Sequence, residues 1–460
     1  MDNVLNWINE IVWGLPTLLL IFLVGAHLTQ RTGYVQVRLF GKAMKGFFSQ
    51  FRKENGKEGT SSFRALCTAR AATVGTGNIA GVAGAIAIGG PGAIFWMWIS
   101  AFFGMAVKYA EATLAVRYRE KNRAGEHVGG PMYMIRNGLG RGYGWLSTAY
   151  CVFGVIAAFG VGNATQINAV IVSVNAALET LGASPTAQGN LLMGAILAVL
   201  VGAMLLGGMR RIGETAELLV PFASLVYILF CLGVLVCCYD AIPDALYQIC
   251  AGAFRPSALT GGALGSVFTV IRVGTARGIF TNEAGIGTAS IAHAGAQVDH
   301  PAQQGLMGIV EVFLDTIVIC TLTALVILCS GVPIPYGTDI GAELTAKAFA
   351  SVYGGWFHIL LALCMCCFAF ATVLGWGFYG IRCAQFLFGE KSWKVFAFIQ
   401  TGIVLISAML NTGTVWTLSE IVNGLMAIPN LTALILLSPE LFRLTTEYKK
   451  AMGGKPMAKG

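Results

Sequence analysis

Apolar runs of about 20 residues recur along this chain, and no other feature limits its fold so severely. A run of that length crosses a bilayer as one helix. In lipid every backbone N–H and C=O must be satisfied inside the segment, so runs this long read as α-helices. Eleven candidates are found, at roughly 11–30, 66–89, 93–117, 145–181, 190–208, 214–239, 261–290, 304–330, 355–381, 394–411 and 415–437. They predict an all-α polytopic membrane protein with 11 transmembrane helices. With 56% hydrophobic and only 11% charged residues, the chain lies outside the range of soluble domains.

The basic residues orient the spans. With the N-terminus outside, 24 of the 30 Lys and Arg fall on the inner side, against Arg255 and Lys347 outside; Arg70, Lys108, Arg272 and Arg277 lie within spans. Such asymmetry predicts N-out and C-in. It also accounts for the net charge of +8 without nucleic acid, because the basic residues are dispersed over loops. Met1 to Glu10 carry two acids and no base, so the basic region of a cleavable signal peptide is missing and the first span is expected to be retained. The 12 cysteines sit mostly in apolar runs and read as small buried hydrophobes. No cofactor or metal cluster is expected. Between Val35 and Phe48 apolar and basic residues interleave, which reads as an amphipathic helix on the inner leaflet or as a solvated loop.

Two spans are interrupted. Thr73-Val74-Gly75-Thr76-Gly77-Asn78-Ile79-Ala80-Gly81 lies mid-way along the second, and each Gly costs a helix about 1 kcal/mol relative to Ala. Close helix packing is the bland explanation. The seventh span carries a matching interruption, Arg277-Gly278-Ile279-Phe280-Thr281-Asn282-Glu283-Ala284-Gly285-Ile286-Gly287. Five spans apart, the two run in opposite directions through the bilayer, as in an inverted five-plus-five repeat. Paired interruptions in two halves point to a transporter binding site. Half-helix N-termini suit an anionic group and unwound carbonyls a desolvated cation, so an amino acid with Na⁺ would satisfy both.

These strings, with Gly89-Gly90-Pro91-Gly92-Ala93-Ile94-Phe95-Trp96-Met97-Trp98, Gly129-Gly130-Pro131-Met132-Tyr133 and Phe313-Leu314-Asp315-Thr316, closely resemble the alanine/glycine:cation symporter (sodium:alanine symporter) family over nearly the whole chain. The resemblance implies the bacterial leucine-transporter-like fold. Residues 1–65 would form an extra N-terminal helix and amphipathic loop, 66–239 and 240–437 the two five-helix repeats, and 438–460 a cytoplasmic tail. It implies Na⁺-coupled uptake of alanine or glycine across a bacterial or archaeal cytoplasmic membrane. Proton coupling through Glu283 or Asp315 is the alternative within that class. A channel would call for a continuous polar file instead, and no enzyme motif is present.

Substrate contacts are expected from Thr76, Gly77 and Asn78, with the first two offering backbone N–H to a carboxylate. In the fourth span Asn163 and Gln166, three residues apart, either meet the substrate or bond another helix. Phe280 and Thr281 are expected to begin the second break, with Asn282 following, their carbonyls receiving an ammonium and Phe280 closing over the side chain or simply packing. Trp376 either walls the pocket or stacks in the core. By the same resemblance, the carbonyls of Ala71, Val74 and Ala369 and the Thr372 hydroxyl would bind Na⁺; a lone Thr in a membrane helix more commonly bonds its own i−4 carbonyl. Glu283 at mid-depth needs a partner, with Arg272, Arg277 and Lys108 as candidates. Glu311 and Asp315 are read on one face of the eighth span, to bind a proton, brace Arg272 or Arg277, or line the outer path. Arg70 either closes an inner gate with an acid or snorkels to the headgroups.

Overall fold

A helix of 26 residues, Gly92–Arg117, shows how this sequence builds its bundle. It is apolar along its length and most of it is buried, so it has no polar face to offer water. The eighth span lies against it. Gly305 and Gly308 permit that approach: a Cβ on Gly308 would lie 2.9 Å from the Lys108 side chain, and one on Gly305 would overlap Thr113. On the outside of the molecule the rule inverts, and Leu218, Val199 and Val236 are more than two-thirds exposed, as lipid permits.

The computed structural model describes residues 2–50, 62–255, 266–338, 340–410 and 412–452. Among these, eight helices are long and apolar enough to cross a membrane, or nine if the bent pair Ser62–Thr73 and Thr76–Gly89 is one span. The tenth expected span is the 16-residue helix Ser392–Ser407. The seventh forms Val267–Asn282 followed by the short helix Thr288–His293, and its expected first residues, 261–265, lie outside the described residues. Helices Ile242–Gly252 and Ala342–Tyr353 occupy stretches read as connections. The fourth span runs 40 residues, Arg141–Thr180, with a π-helical segment at Gly160–Ala164.

The stretch read as lying on the inner leaflet is helical, as Val35–Arg38 and Phe40–Gln50, but its apolar face is covered by protein. Val35, Leu39, Ala43 and Phe47 repeat every fourth position and are all buried, and Phe40 meets Phe313 of the eighth span edge-on at 4.8 Å. Val37 and Phe48, off that stripe, are exposed. Residues 51–61 of the same loop lie outside the described residues, as do 453–460 of the tail.

Nor is the described part of the tail a free segment. It forms Ser438–Met452, docked through Glu440 to Arg117 at 2.7 Å, Tyr109 to Thr445 at 3.0 Å and Lys449 to the Thr32 carbonyl at 2.6 Å. Hydrogen bonds from Arg443 and Arg117 hold the Glu440 carboxyl down at about 2, so this anchor stays ionised into strong acid.

Phe47→Ala should cost about 3 kcal/mol by emptying a packed site. Thermal unfolding in detergent is expected to shift down by several degrees, and an unchanged transition would return the segment to the lipid surface.

Candidate functional site

At the first break a single side chain replaces helical hydrogen bonding. Gly75 is extended (φ −151°, ψ −149°), and the half-helices on either side diverge by 58°. Its N–H donates to Asn78 Oδ1 at 2.9 Å, not to the Ala71 carbonyl, and Asn78 N–H closes on Gly75 O at 3.3 Å, not on Val74. Ala71 and Val74 therefore lose the i+4 donors of a regular helix. Both residues are fully buried.

The second break repeats the device. Glu283 adopts φ +53°, unusual for a residue with a Cβ, and Gly285 and Gly287 follow at +94° and +87°. Ala284 N–H donates to Asn282 Oδ1 at 2.9 Å and Gly285 N–H to Glu111 Oε1 at 2.9 Å. The i+4 donors of Phe280 and Thr281 are thereby redirected. The helix itself runs on through Asn282, so Phe280 and Thr281 form its last turn, and the irregular backbone is 283–287. The expected start was three residues early, since the regular helix continues past Thr281, whose Oγ1 donates to Gly278 O at 2.8 Å.

The first break touches the last helical turn before the second. A Cβ on Gly77 would lie 3.0 Å from the Thr281 methyl and 3.4 Å from the Phe280 ring. The two breaks also share one support in the eighth span. Asn78 Nδ2 donates to Asp315 Oδ1 at 2.6 Å, Asn282 Nδ2 to Thr316 Oγ1 at 3.0 Å, and the Thr316 hydroxyl to Asp315 Oδ2 at 2.8 Å. Thr372 of the ninth span abuts the first break, its Oγ1 2.5 Å from where a Gly75 Cβ would sit. Its proton goes to the i−4 carbonyl of Phe368 at 2.9 Å, which leaves the oxygen lone pairs as acceptors. Ala369 lies one turn before it and is fully buried.

The fourth span contributes Gln166, whose Oε1 accepts from Thr76 Oγ1 at 3.0 Å. Asn163 turns elsewhere, donating to the Gln400 carbonyl of the tenth span at 3.0 Å. The π segment ending at Ala164 changes the helical register between them, so i and i+3 no longer share a face. Trp376 is buried against Gly162 and meets the Tyr379 ring edge-on at 5.8 Å.

The charged candidates pair differently from expectation. Arg277 binds Glu420 at 3.0 Å and Arg272 lies 3.9 Å from Glu10, so neither is the ion-pair partner of Glu283 or Asp315. Glu283 accepts instead from Thr288 Oγ1 at 2.5 Å. Lys108 lies 3.6 Å from Glu311, which also receives His293 Nε2 at 2.8 Å. Glu311 and Asp315 thus serve different clusters, because a π-helical stretch begins between them at Phe313. Arg70 does not snorkel; it is 6% exposed.

Glu111 and Asn430 escaped the sequence reading. Asn430 Nδ2 bridges Glu111 Oε1 at 2.7 Å and Gly285 O at 2.9 Å, which pins the second break from the opposite side. The signal was available: a carboxylate three residues after Lys108 in an apolar span is a functional hypothesis by itself.

One turn from the first break lies a cavity of about 250 Å³, lined by residues that include Ala80, Gly84, Asn168, Arg277 and Glu343.

A bundle of long apolar helices, two of them broken at buried positions, defines a multi-pass membrane protein. The sodium:alanine symporter family model matches residues 1–458, and the chain belongs to that family. It is 42% identical over 442 residues to the sodium/alanine symporter AgcS of Methanococcus maripaludis, covering 95% of this chain and 94% of that protein. It is 35% identical over 452 residues to the amino-acid carrier protein AlsT of Bacillus subtilis, covering 98% and 92%. Among solved structures, MhsT in complex with L-phenylalanine superposes with a TM-score of 0.59 at 13% identity, over 83% of this chain and 90% of that one, a likeness of fold. Family and relatives together support amino acid symport.

Lys108→Met leaves the buried Glu311 carboxylate with His293 but without its ammonium partner, and should destabilise the protein by about 3 kcal/mol. The double variant Lys108→Met/Glu311→Gln should recover much of that loss in thermal unfolding. Equal losses in single and double variants would show that the ion pair is not what Lys108 contributes.

Proposed function

We propose that this chain carries a small neutral amino acid, alanine or glycine, into the cell together with Na⁺ by alternating access. The observation that carries the proposal is the contact of Gly77, in the first break, with Phe280 and Thr281, the last helical turn before the second, each break having a backbone donor diverted by an asparagine. The substrate carboxylate is placed at the N–H groups of Thr76 and Gly77, beside Gln166. Its ammonium is placed at the Thr281 carbonyl, with Phe280 over the side chain and Trp376 behind it. Asn78 and Asn282 hold the two breaks in shape, whereas Asn163 acts between helices.

Na⁺ is assigned to the carbonyls of Ala71, Val74 and Ala369 with the Thr372 hydroxyl. Two of those carbonyls have lost their helical donors and Thr372 keeps its lone pairs, the hard-oxygen environment such a cation needs. Proton coupling is the second reading, because Asp315 and Glu283 accept hydrogen bonds from neutral partners, Asn78, Thr316 and Thr288.

The frame is eleven spans, the second to sixth and seventh to eleventh forming the inverted repeats. The N-terminus is placed outside and the C-terminus inside the cytoplasmic membrane of a bacterium or archaeon. Substrate and ion bind the same unwound backbone, so each should tighten the other by an equal factor.

Labelled alanine should enter proteoliposomes when Na⁺ is imposed outside and not when K⁺ is; accumulation driven by a pH gradient alone would favour the proton reading. Thr372→Ala should raise the Na⁺ concentration for half-maximal uptake about tenfold, a loss of ~1.4 kcal/mol. A change confined to alanine affinity would remove Thr372 from the cation site. Asn78→Ala should insert normally yet transport nothing, and normal uptake would separate the asparagine from the mechanism.

A further inference from the structure

Where the chain leaves its first span, two cations converge with no carboxylate to answer them. After helix Leu15–Arg31 the backbone turns through Gly33 and Tyr34, both at positive φ, and enters Val35–Arg38. The tail helix Ser438–Met452 lays Lys449 across that turn, its ammonium donating to the Thr32 carbonyl at 2.6 Å. Arg38 returns to the same point: a Cβ on Gly33 would lie 3.3 Å from Lys449 Nζ and 3.8 Å from Arg38 Nη1. Burial, and then the Arg38 charge beside it, push the Lys449 pKa below its ordinary value, as like charges do when they meet. Four residues after Arg38, Lys42 adds a third cation, its ammonium meeting Met452 Sδ at 3.4 Å. The acids of the tail are committed elsewhere, Glu440 to Arg117 and Arg443 and Glu447 to Arg443. Among the described residues no carboxylate pairs with Arg38, Lys42 or Lys449.

Like charges held together without a counter-charge call for an anion from outside the chain. We infer that the surface around Gly33 binds the phosphodiester group of an anionic phospholipid, held by Arg38 and Lys449 with Lys42 at its edge. The side chains suit that group: the guanidinium offers paired planar donors to phosphate oxygens and the ammonium a point charge. Their surroundings choose a lipid over a free anion. Tyr34 and Val37, next to Arg38 in the chain, are exposed apolar surface that a soluble anion leaves in water and an acyl chain covers. In the orientation proposed above this face meets the inner leaflet, whose anionic headgroups attract basic segments. A headgroup bound here would clamp the tail helix to the turn after the first span, adding to the single Lys449 to Thr32 bond.

The test titrates phosphatidylglycerol into the full chain in neutral detergent, counting bound lipid by native mass spectrometry and following thermal unfolding. Phosphatidylglycerol is expected to bind saturably and raise the unfolding temperature, while phosphatidylcholine and inorganic phosphate at the same concentrations do neither. Arg38→Gln removes one cation and leaves the Lys449 to Thr32 bond in place. It should weaken phosphatidylglycerol binding about fivefold, the effect of one basic residue at a charged surface, and Arg38→Gln/Lys449→Gln about 25-fold. Lys391→Gln, an exposed cation elsewhere on the same expected face, should change nothing. Arg38→Lys/Lys449→Arg keeps both charges and should keep the lipid, which separates loss of charge from loss of the tail's docking. An equal effect of phosphatidylcholine or inorganic phosphate overturns the anionic-lipid assignment. Binding that is unchanged in Arg38→Gln, or that falls as much in Lys391→Gln, overturns the site. These readouts need no transport, so their failure is distinct from failure of the symport reading.

Discussion

Two asparagine side chains hold this molecule's centre in a shape that membrane helices otherwise avoid. Asn78 Oδ1 takes the N–H of Gly75 and Asn282 Oδ1 takes that of Ala284, and each amide nitrogen is then anchored on one of two successive residues, Asp315 and Thr316. An unmade backbone bond in hydrocarbon costs several kcal/mol. The breaks persist because each diverted N–H is satisfied by a side chain while the matching carbonyls are left for other partners. Both breaks rest on one short stretch of the eighth span, so a change at either is felt by the other through the Thr316 to Asp315 bond.

Around that support the protein gathers charge that it could not otherwise bury. Lys108, His293 and Glu311 join the third, seventh and eighth spans, and Gln304 extends the chain from His293 to Ser62 at the start of the second. Glu111 and Asn430 close the second break from the other side. None of these residues lines the cavity, whose wall carries Arg277 of the Arg277–Glu420 pair.

The breaks themselves were legible from sequence, because glycine and asparagine at mid-depth have few meanings in lipid. Gln166 reads as meeting substrate or another helix, and resemblance assigns Thr372 to the cation; that both lie against the first break is a result of packing. Side-chain direction was not legible. Asn163 and Gln166 are three apart, yet a π turn at Gly160–Ala164 sends them to different helices, and the same happens to Glu311 and Asp315 at Phe313. A π segment carries no compositional mark, so face assignments based on regular helical spacing fail there. Arg272 and Arg277 were matched with intramembrane acids because the sequence offered those acids nearby. Glu10 and Glu420, from the first and last parts of the bundle, took them instead.

What the order of residues determined alone is the material and the interruptions: helices by length and apolarity, two broken by residues that regular helix disfavours. Which groups face one another was decided only by packing. Gly77 against Thr281, Asn78 on Asp315, Glu111 beneath Gly285 and Arg277 beside Glu420 are all long-range pairings. Nothing local specifies them. They follow from which helices can approach closely, and that depends on the summed shape of small residues across several spans.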